Sequence, residues 1–178
     1  MKRLSKTLIE KIKAIKLLIL DVDGVLTDGR IIYDDDGRQI KAFDVKDGHG
    51  IKLLMQGGVD VGIITARESR VILHRAKDLG IDIVYQKAID KVKAFQEIID
   101  KRGLQPNEVA YVGDDIVDLS ILRRVGFSAA VNDSVEDIRG SVDWVTTKQG
   151  GRGAVREICE LILKVQGKWE KVTERYMR

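Results

Sequence analysis

A chain of 178 residues, 44% hydrophobic and 33% charged, is long enough to bury the core of one domain, and this excludes a disordered tail or a collagen-like chain. The net charge of +3 is unevenly spread, with +5 over residues 1–16, +2 over 168–178 and −4 between, so no basic face suited to nucleic acid is expected on the fold itself. A single cysteine excludes an intramolecular disulfide, no apolar run reaches the roughly 18 residues of a membrane span, and no secretory signal is evident, which together predict a reduced, cytoplasmic protein.

In chain order, the basic residues 2–16 read as a leading helix or as solvated charge. An apolar strand at 17–20 then runs straight into Asp21-Val22-Asp23-Gly24-Val25-Leu26-Thr27. Residues 30–43 carry two strand-like pieces around Asp34-Asp35-Asp36-Gly37, the signature of a β-hairpin with a solvated turn. A helix is predicted over 48–57, followed by a β-branched strand at 59–64 that ends on Thr65. A helix over 68–79 stops at Gly80, a strand follows at 81–85, and a helix over 89–102 stops at Gly103. Pro106, the only proline, precedes a strand at 109–112 that opens into Gly113-Asp114-Asp115. Helices over 116–124, 134–139 and 153–166 alternate with strands at 128–131 and 142–145, and 168–178 reads as a flexible tail. Short buried strands separated by helix-length segments predict a doubly wound parallel α/β sheet in one domain, 1–178, with an inserted hairpin.

In such sheets the ligand lies beyond the carboxyl ends of the strands. Those ends carry Asp21 and Asp23, Thr65, and Asp114 with Asp115 and Asp118, while Lys91 stands near the start of a helix, with Lys93 a nearby alternative. Oxygen ligands without His or Cys suit a hard cation, most simply Mg²⁺. A carboxylate beside such a cation can attack phosphorus, a second carboxyl can protonate the leaving oxygen and then activate water, and a hydroxyl and a lysine can hold the phosphoryl oxygens.

Asp21-Val22-Asp23-Gly24-Val25-Leu26-Thr27, Thr65, Lys91 and Gly113-Asp114-Asp115-x-x-Asp118 resemble the four motifs of the haloacid dehalogenase superfamily, in the same order. The resemblance implies a Rossmann-like core in which Asp21 is nucleophile and metal ligand, and Asp23 is general acid and base and lends its carbonyl to the metal. Thr65 and Lys91 would bind the phosphoryl group. Asp114 would complete the metal ligands, with Asp115 and Asp118 behind them and Asp118 paired with Lys91. The carboxyl at position 23 favours a phosphatase over a dehalogenase, since a sugar alkoxide needs a proton to leave.

The spacings from Asp23 to Thr65 and from Thr65 to Lys91 leave no room for a cap domain. That shortness, the hairpin, and the runs 43–50, 64–67 and 148–157 resemble the 3-deoxy-D-manno-octulosonate 8-phosphate phosphatase family. The resemblance implies a homotetramer whose neighbouring subunits close each site, a phosphorylated sugar acid as substrate, and a place in lipopolysaccharide synthesis. A phosphatase for a nine-carbon sugar acid phosphate and a non-catalytic receiver-like module are the alternatives. Arg67 is the first candidate to grip the substrate carboxylate, since a guanidinium can form two parallel hydrogen bonds to it, and Arg152 the second. His49 is expected to shape the loop after the hairpin, and Cys159 to lie in the core.

Overall fold

The computed structural model describes residues 4–177; Met1, Lys2, Arg3 and Arg178 fall outside them. Six parallel strands form the central sheet: β1 (Leu17–Leu20), β4 (Asp60–Ile64), β5 (Ile83–Tyr85), β6 (Val109–Gly113), β7 (Phe127–Ala130) and β8 (Trp144–Val145), in the order β5-β4-β1-β6-β7-β8. The chain winds outward from β1 in both directions, so the switch point of the topology lies where β1 meets β4 and β6, the usual place for a ligand in an open α/β sheet.

Successive strand residues point to opposite faces, and β1 shows it plainly. Leu18 and Leu20 join one apolar cluster with α1 (Lys6–Lys13), α2 (Val45–Gln56), α3 (Arg70–Leu79) and α7 (Ala154–Val165). Leu17 and Ile19 join the other, with α4 (Lys91–Arg102), α5 (Leu119–Leu122) and α6 (Glu136–Arg139). Both faces of β1 are covered, which is why its sequence is uninterrupted Leu and Ile.

The hairpin is shorter than its sequence promised. Only β2 (Ile32–Tyr33) and β3 (Gln39–Ile40) pair, antiparallel, around a turn in which Asp34 Oδ1 accepts from Asp36 N (3.0 Å) and Arg38 N (2.7 Å). Helix α2 starts at Val45, before the expected 48, because Asp44 caps it by accepting from Lys46 N at 2.6 Å. The helix expected over 116–124 divides into a 3₁₀ turn, Ile116–Asp118, and α5.

The tail expected to be flexible is instead a short helix, α8 (Trp169–Thr173), and a 3₁₀ turn, Glu174–Tyr176. Trp169 and Val172 pack on the core, and the Lys164 ammonium lies 4.9 Å over the Trp169 ring. Gly24 to Ile64 accommodates only the hairpin, α2 and β4, and Ala66 to Asp90 only α3 and β5, so there is no cap domain among the described residues.

Candidate active site

The alternation along β1 decides where Asp21 points. It follows Leu17 and Ile19 onto the face covered by α4, whose first residue is Lys91. Lys91 is 4% exposed, and its ammonium lies 3.0 Å from Asp21 Oδ1 and 2.6 Å from Asp118 Oδ1. Burial of a lysine works to lower its pKa, but Asp21 and Asp118 together outweigh it and hold the charge in place. Lys93, the alternative cation, is exposed.

Tyr111, inside β6, donates its hydroxyl to Asp118 Oδ1 at 2.6 Å. Asp118 Oδ2 accepts from the backbone N–H groups of Asp114 (3.1 Å) and Asp115 (3.4 Å). A Cβ at Gly113 would lie 2.6 Å from the Asp118 side chain, so the strand must end in glycine for this carboxylate to fit.

Oxygens of Asp21, Asp114 and Asp118 lie within 4.8 Å of one another. Asp118 is already committed on both oxygens, to Lys91, Tyr111 and two backbone donors. Asp21 and Asp114 are therefore the side chains with capacity for a cation. Burial lifts Asp21 to about 6 against the pull of Lys91. Burial, then the charges of Asp21, Asp118 and Asp115, push Asp114 up to about 8. Carboxyls crowded this way are short of positive charge, and a hard divalent ion fits the donor set. The backbone carbonyl of Asp23 accepts from no backbone N–H among the described residues. Asp115 is exposed and spends its Oδ1 on Ile116 N at 2.6 Å, and it forms a capping box with Asp118 while adding its charge to the cluster.

Asp23 lies in the turn after β1 and is bonded through Oδ1 by the ammonium of Lys41. Its Oδ2 is buried and forms no hydrogen bond; Arg67 Nε stands 3.7 Å away. Gly24, at φ +92°, follows in the left-handed region, and a Cβ there would sit on the Asp114 carboxylate. Thr65 is 2% exposed, and its Oγ1 accepts from Arg67 N at 3.3 Å, leaving its hydrogen free to donate. It does not cap α3, whose N-cap is Ser69.

The glycine-rich run near the carboxyl end packs directly on this turn. Gly151 N donates to Val25 O at 2.9 Å, and Cβ atoms at Gly150 and Gly151 would strike the backbone of Gly24 and Thr27. Arg152 is spent on Asp28 at 3.5 Å. Gly153 has no side chain with which to cap α7, and Asp47 of α2 supplies the cap from across the fold, accepting from Arg156 N (2.7 Å) and Gly153 N (3.3 Å). His49 is not at the cluster; its ring packs edge-on to Tyr176 at 5.4 Å, and burial lowers its pKa. Cys159 is fully buried and its thiol is pushed up by that burial.

Sequence reasoning missed Lys41, Tyr111 and Asp47. Lys41 alternates with the apolar Ile40 and Ala42 and looks like any solvated strand lysine. Tyr111 is hidden in a strand apolar on both faces.

Residues 81–158 match a family described as haloacid dehalogenase-like hydrolases. The chain is 44% identical over 167 residues, 94% of this chain and 89% of the relative, to 3-deoxy-D-manno-octulosonate 8-phosphate phosphatase of Escherichia coli K12. Among solved structures it is similar to the enzyme of that name from Yersinia pestis, with a TM-score of 0.92 and 43% identity over 94% of this chain and 90% of that one. It is likewise similar to the Moraxella catarrhalis enzyme in complex with a magnesium ion, a phosphate ion and KDO, with a TM-score of 0.93 and 44% identity over 95% of this chain and 97% of that one.

Proposed function

This chain belongs to the haloacid dehalogenase-like hydrolases and is a phosphoric monoester hydrolase of the same family as the 3-deoxy-D-manno-octulosonate 8-phosphate phosphatases, and from that premise we propose that its substrate is 3-deoxy-D-manno-octulosonate 8-phosphate. The observation that carries the chemistry is the Lys91 ammonium held between Asp21 and Asp118, with Asp114 beside them at the mouth of β1 and β6.

Asp21 and Asp114, with the carbonyl of Asp23, would hold Mg²⁺, the ion named with the Moraxella enzyme. When bound, the ion neutralises negative charge on the phosphoryl group and so lets an anion approach an anion. An Asp21 carboxylate oxygen attacks phosphorus while the bond from phosphorus to the sugar oxygen breaks. That oxygen takes a proton from Asp23 and leaves as the alcohol, with the phosphoryl group now on Asp21. Asp23 then takes a proton from water, whose oxygen attacks the phosphorus, releasing inorganic phosphate and restoring Asp21. Thr65 donates its hydroxyl hydrogen, and Lys91 its charge, to the phosphoryl oxygens throughout. Arg67, half-exposed beside Asp23, would pair with the carboxylate of the sugar acid.

In this reading the enzyme works in the cytoplasm as a homotetramer and serves lipopolysaccharide synthesis. The absence of a cap leaves the site open, and the hairpin exposes Ile31, Ile32, Tyr33 and Ile40, an apolar set that a neighbouring subunit would cover. No helix among the described residues is long and apolar enough to cross a membrane.

The test is a panel of sugar acid phosphates of eight and nine carbons, assayed for phosphate release with Mg²⁺ and with chelator. The eight-carbon ester is expected to turn over fastest, chelator to stop the reaction, and Asp21→Asn to lower kcat by about 10³ or more. Near-normal turnover by Asp21→Asn would sink the mechanism; a faster nine-carbon ester would sink the substrate assignment alone.

A further inference from the structure

Lys41 stands one residue past β3, on a hairpin where Tyr33 is 57% exposed and the preceding Ile40 49%. The Lys41 side chain is nonetheless 1% exposed, and it ends on Asp23 Oδ1. Lysine is almost never buried to this degree unless an acid partner draws it in. A pair of two-residue strands is too small to bury a lysine by packing, so the pairing itself carries the ammonium into the site.

The two oxygens of Asp23 therefore differ. Oδ1 is fixed by Lys41, whereas Oδ2 is buried, makes no hydrogen bond and lies 3.7 Å from Nε of Arg67, whose side chain is 51% exposed. Asp23 lies in a turn, where no helix or strand ladder fixes its torsions. A proton donor must meet the leaving oxygen within hydrogen-bond reach, so its orientation has to be set beforehand.

Resting on the phosphatase reading above, we propose that Lys41 is a positioning residue for Asp23: it locks one carboxyl oxygen so that the other is presented to the leaving sugar oxygen. The transferred proton travels on Oδ2 and the Lys41 bond stays on Oδ1, so the two do not compete. The inserted hairpin then has a part in the chemistry of its own chain, because whatever sets the hairpin sets Lys41.

The experiment compares two esters on the full-length enzyme with Mg²⁺. 3-Deoxy-D-manno-octulosonate 8-phosphate expels a sugar alkoxide and needs the proton. para-Nitrophenyl phosphate expels a nitrophenolate that leaves without one. Lys41→Met is expected to lower kcat on the sugar ester by about 10²-fold, the scale of a general acid, with KM shifted less than about threefold. Its loss on the nitrophenyl ester should be at least about tenfold smaller, and Lys41→Arg, which keeps a cationic donor, should recover most of the sugar-ester rate. Equal losses on both esters would mean that Lys41 is only a tether for the hairpin, and no loss on either would remove it from the reaction; each overturns the proposal. Lys41→Gln, which keeps length and a donor without the charge, is read in the same two assays should Lys41→Met unfold. Wild-type protein that releases phosphate from neither ester would refute the phosphatase reading itself, a separate outcome.

Discussion

Gly24 joins the turn after β1 to the Asp114 carboxylate. With φ at +92° and the Asp114 carboxylate occupying the direction of a Cβ, an alanine here strains the backbone and displaces a proposed ligand at once. Gly24→Ala is expected to raise the Mg²⁺ concentration for half-maximal activity by about tenfold or more, about 1.4 kcal/mol in affinity, and to lower kcat as well. A Mg²⁺ titration of initial rates checks this, and an unchanged half-saturation point would show that Asp114 has room to move. At this scale the sequence was informative where chemistry demands rare residue types in fixed places: Asp21, Lys91, Asp114 and Asp118 converge at the mouth of the central strands. It was silent where the informative quantity was burial. Lys41 becomes distinctive only because its side chain is withdrawn from solvent, and Tyr111 only because its hydroxyl meets Asp118.

Among the elements, one carboxyl adds a polar tie between α2 and the start of α7, which also share an apolar core. Asp47 accepts two N–H bonds at the start of α7, yet its burial wins and lifts it to about 6 from an ordinary 3.8. A raised acid pKa means that the folded chain holds this proton more tightly than the unfolded one between those values. Its contribution to stability is therefore greatest below about pH 4, declines as pH rises through 6, and is flat above. Asp47→Asn removes the titration, so the stability of the wild type relative to this variant should fall by up to about 3 kcal/mol between pH 4 and 7. Urea unfolding of both proteins at each pH measures it; a pH-independent difference would show that the helix N-terminus, and not burial, governs this carboxyl. The alternation of strands and helices was legible because β1 is apolar on both faces and Gly80 and Gly103 stop their helices in the left-handed conformation. The tail was misjudged because Lys168, Lys171 and Arg175 look solvated in sequence, while Trp169 finds its place only against Arg156 and Lys164 of a helix already folded.

For the whole molecule, the open site and the apolar hairpin belong to the same problem. Ile89 is 90% exposed, Ile116 56% and Val117 59%, so the rim at the strand ends is apolar around a strongly polar centre, as an incomplete enclosure would be. Charging the hairpin with Ile32→Lys and Ile40→Lys, a cross-strand pair, should shift light-scattering mass from that of the proposed tetramer to the single chain and reduce kcat/KM on the sugar ester. A tetramer that survives both charges would place the subunit contacts elsewhere.

The braced turn after β1 also has a consequence for the order in which the molecule is made. Gly150 and Gly151 mould the backbone from Gly24 to Asp28, yet they leave the ribosome more than a hundred residues later. A nascent chain stopped after β8 carries both partners of each ion pair around Lys91, but lacks the surface against which the turn after Asp21 is shaped. A competent hydrolase is thus expected only once its last stretch has emerged, a delay set by backbone contact.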